Sequence, residues 1–133
     1  MIQKIDHIGI AVQSIDKALS LFRDVLSLEL GGTDEVPTQK VKVAFLKVGE
    51  TRFELLEPTQ EDSNIGKFLA SKGEGIHHIA LKVSDIEEAL KHIKAKGVRL
   101  INEEPVPGAH GTRISFLHPK GTHGMLLELV EKK

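Results

Sequence analysis

The chain has 133 residues, of which 40% are hydrophobic and 28% charged, and its formal net charge is −1. Those values fit one globular domain and exclude both a disordered chain and a chain-wide basic footprint for nucleic acid. Cysteine is absent, which excludes disulfides, thiolate metal sites and cysteine nucleophiles. No apolar run approaches the ~18 residues of a membrane span, and Lys4, Asp6 and His7 break any secretory signal at the start. A soluble cytoplasmic protein with no membrane or nucleic-acid partner is the expectation.

Lys4–Val12 alternates with period two, Ile8, Ile10 and Val12 on one face and His7, Gly9 and Ala11 on the other, as a half-buried strand does. Ser14 stands at an N-cap position, and Ile15, Ala18, Leu19, Phe22, Val25 and Leu26 follow helical spacing over residues 15–27. Gly31-Gly32 and Pro37 punctuate an extended stretch, and Val41–Val48 and Thr51–Glu57 read as a hairpin through Gly49. Ser63–Lys72 is expected as a short helix closed by Gly73 and Gly75.

The pattern then restarts. His77–Val83 is a second strand, and Ser84-x-x-Glu87 reads as a capping box opening a helix that ends at Gly97. Val98–Asn102, Thr112–Leu117 and Gly124–Val130 are the next strands, with Pro119-Lys-Gly121 as the last turn. At an offset of 71 residues, His7, Ile8, Val12, Ile15, Ala18 and Leu19 recur as His78, Ile79, Val83, Ile86, Ala89 and Leu90. That period is too long for a solenoid repeat. It predicts an α+β fold of two duplicated βαβββ modules, about 1–60 and 74–133, joined by the helix at 63–72. Together they would form a cupped mixed sheet with the helices on its outer face.

If the helices cover the Ile/Leu/Val rows, His7 and His78 project into the cup beside the small Gly9 and Ala80, and His77 points the other way. Each module also closes on an apolar strand carrying one carboxylate, Glu54 or Glu128, at 47 residues from His7 and 50 from His78. A carboxylate in such a strand is costly to bury unless paired, hydrogen-bonded or bound to a cation. Solvated residues have no reason to recur in register, so His7, Glu54, His78 and Glu128 are the candidate ligands of one divalent ion. Mixed N/O ligation suits Co²⁺, Ni²⁺, Mn²⁺ or Zn²⁺. His92, His110, His118 and His123 read as surface or loop residues, and Lys40, Lys42, Arg113 and Lys120 as solvated charges.

This duplicated pattern resembles the vicinal oxygen chelate superfamily, which includes glyoxalase I, extradiol dioxygenases and methylmalonyl-CoA epimerase. The resemblance covers about Ile5–Val130 and makes the chain a single glyoxalase-like domain. Asp6-His7-Ile8-Gly9-Ile10-Ala11-Val12, His77-His78-Ile79-Ala80, Phe116-Leu117-His118-Pro119-Lys120 and Gly124-Met-Leu-Leu-Glu128-Leu are most similar to the epimerase branch. The resemblance implies the same four ligands, an acyl-CoA substrate, and a homodimer. It also implies epimerisation at C2 of a methylmalonyl thioester through a metal-stabilised enolate, with two carboxylates moving the proton. One of these corresponds to Glu128; the other belongs to a Pro-Glu segment that here reads Pro37-Thr38-Gln39. A threonine hydroxyl is a poor general base, and Glu35, three residues away, is the candidate replacement. The alternatives are a glyoxalase I-like lactoylglutathione lyase acting on a hemithioacetal, and a non-catalytic small-molecule binding protein of the same fold. Retention of all four ligands counts against the latter.

Overall fold

The computed structural model describes residues 1–132. In chain order the elements are β1 (Ile2–Ala11), α1 (Ile15–Leu19), β2 (Glu29–Val36), β3 (Val41–Val48), β4 (Thr51–Pro58), α2 (Asn64–Lys72), β5 (Gly75–Val83), α3 (Ile86–Ala95), β6 (Val106–Pro107), β7 (Arg113–Leu117) and β8 (Leu127–Glu131). The fold is α+β, with a βαβββ order that occurs twice. No helix among the described residues is long and apolar enough to cross a membrane.

Packing divides the chain into two compact units, one spanning His7–His77 and one formed by Met1–Asp6 with the chain from His78 onward. In the first, the strands lie in the order β2-β3-β4-β1, with β1 parallel to β4 and the rest antiparallel. One sheet face meets α1: Val12, Ile15, Leu19, Ala44, Leu46 and Leu55 form its buried cluster, with Ile10, Leu30 and Phe53 against it. The expected alternation of β1 therefore holds. Burying a large aliphatic side chain contributes about 1.5–3 kcal/mol, which is what ties α1 to that face.

The helix expected over 15–27 changes character halfway. Ser20–Val25 is π-helical, with Leu26 N donating to Leu21 O at 2.9 Å. The wider turn rotates the residues after it away from the α-helical stripe. Val25 and Leu26, expected on the inner face, are 70% and 52% exposed, whereas Phe22 stays inside, its ring edge-on to Phe53 at 5.7 Å.

The second unit repeats the plan as β5-β8-β7-β6, with β5 parallel to β8 and the others antiparallel. Its helix face buries Val83, Ile86, Ala89, Leu90, Ile93, Leu117 and Leu129. The cap of α3 is Asp85, whose carboxylate accepts the Glu88 N–H at 3.1 Å; the box expected from Ser84 is displaced by one residue. The expected strand Val98–Asn102 is reduced to a single bridge, Leu100 with Leu117. Ile101 N reaches Phe116 O at 2.8 Å, but the Asn102 side chain takes the Phe116 N–H and interrupts the ladder. Pairing resumes at β6, where Pro107 has no N–H to extend it.

Candidate metal centre

Each unit holds one buried histidine–glutamate pair. In the first, parallel pairing sets Glu54 beside Gly9, and the missing side chain lets the carboxylate reach His7, whose Nδ1 lies 3.2 Å from Glu54 Oε2. In the second, Glu128 lies beside Ala80, and His78 Nε2 is 3.0 Å from Glu128 Oε1. All four residues are 4–6% exposed. A phenylalanine stands opposite each glutamate across the antiparallel ladder, Phe45 with Glu54 and Phe116 with Glu128. Phe45 and Phe116 are themselves related by the 71-residue offset.

The surroundings of the two pairs differ. Arg52 Nε and Nη2 each lie 3.0 Å from Glu54 Oε2, and the guanidinium sits 5.4 Å from the Phe45 ring centre. The guanidinium and the His7 ring nitrogen thus converge on one oxygen of Glu54. In the second unit the His78 ring meets Phe116 edge-on at 5.6 Å, and position 126, where the offset between the glutamates would put a second arginine, is Leu126.

A further carboxylate lies three residues beyond each ligand candidate and therefore faces the helix side. Glu57 Oε1 accepts the Ile15 N–H at 2.8 Å, and Glu131 Oε2 accepts the Ile86 N–H at 2.9 Å. These are the first N–H groups of α1 and α3, which lack intrahelical partners. The repeated Glu-x-x-Glu was a signal available in the sequence: one glutamate for each face of the closing strand.

His77 lies on the opposite face of β5 from His78, with its ring edge-on to Phe68 at 5.0 Å. Glu35 pairs with Lys42, and Lys42 with Glu57, so all three share the helix face. Glu35 is exposed there, in a shallow depression with Ile15, Asp16 and Glu57. It is not brought to the His7–Glu54 face. The reason is a bulge in β2: Leu30 pairs with Leu46, but Gly32 pairs with Phe45, leaving Gly31 as the extra residue. One extra residue reverses the facing of every side chain beyond it. Asp34, paired with Val43 and through it with Leu56, consequently lies on the same face as Glu54. Thr38 is exposed on a single 3₁₀ turn, Pro37–Gln39.

The remaining candidates serve the scaffold. Lys40 pairs with Asp62 at 2.9 Å, and Arg113 joins Glu87 (2.7 Å) to Glu131 (3.3 Å). His118 Nδ1 accepts the Lys120 N–H at 3.1 Å. Desolvation, then the charges of Arg99 and Lys120, hold that imidazole below its usual range, which favours the neutral acceptor form.

Two imidazoles and two buried carboxylates, with no thiol in the chain, are a donor set that fits a divalent first-row metal ion. Residues 6–116 match the family model described as the glyoxalase/bleomycin resistance protein/dioxygenase superfamily. The chain belongs to this superfamily. Among its relatives, the ethylmalonyl-CoA/methylmalonyl-CoA epimerase of Cereibacter sphaeroides is 40% identical, over 97% of this chain and 98% of that one. The mitochondrial methylmalonyl-CoA epimerase of Homo sapiens is 38% identical, over 95% of this chain and 72% of that one. The structure of a Streptomyces coelicolor methylmalonyl-CoA epimerase variant in complex with 2-nitronate-propionyl-CoA is 43% identical with a TM-score of 0.95, covering 99% of both chains.

Proposed function

We propose that this superfamily member is a metal-dependent isomerase that interconverts the two C2 epimers of methylmalonyl-CoA. The observation that carries the reading is the repeated buried pair, His7 with Glu54 and His78 with Glu128, in a chain whose relatives include methylmalonyl-CoA epimerases.

His7, Glu54, His78 and Glu128 would together hold one divalent ion, with Co²⁺ favoured. When bound, such an ion supplies Lewis acidity toward the negative charge that develops on the thioester oxygen. The rest of the chemistry belongs to the chain. Glu128 takes the proton from C2 on one face of the substrate, and a second group returns a proton on the other. Glu128 is buried, so it meets that proton with little competing water, which strengthens its interaction with charge at the reacting carbon. Arg52, held to the same Glu54 oxygen as His7, and Phe45 across the ladder restrain Glu54, limiting its freedom to follow the substrate.

The test is solvent deuterium entry at C2 of methylmalonyl-CoA, followed by mass spectrometry on Co²⁺-reloaded protein against a no-enzyme control. Fast, metal-dependent labelling with loss of stereochemistry is the expected result. Absence of labelling in protein with metal demonstrably bound would overturn the reading and direct the next assay to the hemithioacetal of a lactoylglutathione lyase.

A further inference from the structure

Epimerisation needs two proton donors and acceptors because the C–H bond breaks on one face of the carbon and forms on the other. Thr38 cannot serve near neutral pH, and Glu35 faces the helix. Three carboxylates share the His7 face of the first unit among the described residues: Glu29, Asp34 and Glu54. Glu54 is the ligand candidate. Glu29 has a side chain 69% exposed and is paired with Lys47 at 3.2 Å.

Asp34 is different. It is partly buried, between Gly32 and Val36 on its own strand face. Its Oδ1 accepts the N–H of the next residue, Glu35, at 2.8 Å, which fixes the orientation of the carboxylate. Two strands across and two residues along separate it from Glu54, about 12 Å between Cα atoms at ordinary sheet spacings. Both side chains project from the same face, so the gap between their carboxylates is of the order that an ion and the carbon skeleton of a small chelated acid would fill.

We infer that Asp34 is the second acid/base of the epimerisation, turned to the site by the bulge at Gly31; this rests on the reading of the chain as a methylmalonyl-CoA epimerase. From one epimer, the Glu128 carboxylate takes the C2 proton and the C–H electron pair moves into the thioester to give the enolate. The carboxylic acid form of Asp34 then delivers its proton to the opposite face of C2. The other epimer reacts by the same steps reversed, and exchange with water resets both groups.

The experiment compares wild type with Asp34→Asn, Glu35→Gln and the double variant Asp34→Asn/Thr38→Glu, all Co²⁺-reloaded, in deuterium oxide with a single epimer of methylmalonyl-CoA. Metal content and thermal midpoint of each variant report whether folding and ligation survive. Asp34→Asn is expected to keep its metal and its midpoint, and to slow epimerisation about 10²-fold or more. It should still admit deuterium at C2 with configuration retained, because one base still works. Thr38→Glu in that background is expected to restore inversion. Asp34→Asn epimerising at the wild-type rate, or inversion lost in Glu35→Gln instead, overturns the assignment. Wild-type protein that neither labels nor epimerises overturns the epimerase reading itself and is thereby told apart.

Discussion

The Glu131 carboxylate accepts the Ile86 backbone N–H at 2.9 Å, so the strand that carries Glu128 also caps the helix on its other face. The first unit does the same through Glu57 and Ile15 at 2.8 Å. Glu57→Ala and Glu131→Ala are each expected to cost about 1–2 kcal/mol, the usual worth of a helix cap with charge at the N-terminus. Glutamine keeps the acceptor and is expected to lose less. Urea unfolding of the four variants measures it, and Glu131→Ala is expected to be the worse of the alanines because Arg113 also loses one of its two carboxylate partners.

His77 and His78 are adjacent in sequence but face opposite ways. His78→Ala is expected to abolish tight metal binding, whereas His77→Ala, which removes only the ring against Phe68, is expected to retain it. Metal content after dialysis against a weak chelator is the measurement, and equal losses would sink the assignment of faces.

Arg52 is held to a buried carboxylate that would also serve as a metal ligand. Arg52→Met is therefore expected to destabilise metal-free protein by about 1–3 kcal/mol, since Glu54 loses its arginine partner while staying buried. Loading with Co²⁺ supplies a new counter-charge, so the penalty is expected to shrink. Unfolding curves with chelator and with metal test the difference.

If the four residues hold an ion as proposed, removing it from the unsubstituted protein is expected to lower the thermal midpoint. A ligand at 100 times its Kd stabilises the native state by about 2.7 kcal/mol. Scanning calorimetry with chelator, then with Co²⁺ restored, reads both the loss and its reversal.

Asp62 gives a pH signature. Its hydrogen bond and charge interaction with Lys40 hold its carboxyl below the usual range. A carboxylate depressed in the folded state stabilises above its unfolded pKa of about 3.9, and that contribution is lost as pH falls through the folded value. Solvent exposure keeps the effect small. NMR titration is expected to find Asp62 low, and to find it returning toward normal in Lys40→Met or in high salt.

The duplication made most of this legible. Identical residues 71 apart located His7 and His78, and the matching closing strands located Glu54 and Glu128 at a slightly longer offset, because a buried pair inherited twice leaves a period that a solvated surface does not. The same offset carries Ser14 to Asp85, the residue that caps α3, although Ser84 matches the local capping pattern better. What escaped were changes of phase. A π-helical turn at Ser20–Val25 and an extra residue at Gly31 each shift the facing of the residues beyond them without altering composition. Alternation continued from Leu30 would put Glu35 on the face that Asp34 occupies. Val98–Asn102 has the composition of a strand, but Asn102 spends its side chain on the backbone of the neighbour it would otherwise pair with.

The division of β1 has a kinetic consequence. Within His7–His77, β2, β3 and β4 join the second half of β1, so this unit is built from one continuous stretch of chain. Met1–Asp6 packs with the chain from His78 onward, and buried Asp6 pairs with Lys132, whose Nζ lies 3.0 Å from its Oδ1. The Asp6–Lys132 contact thus joins residues of very high sequence separation, and contacts of that kind slow folding.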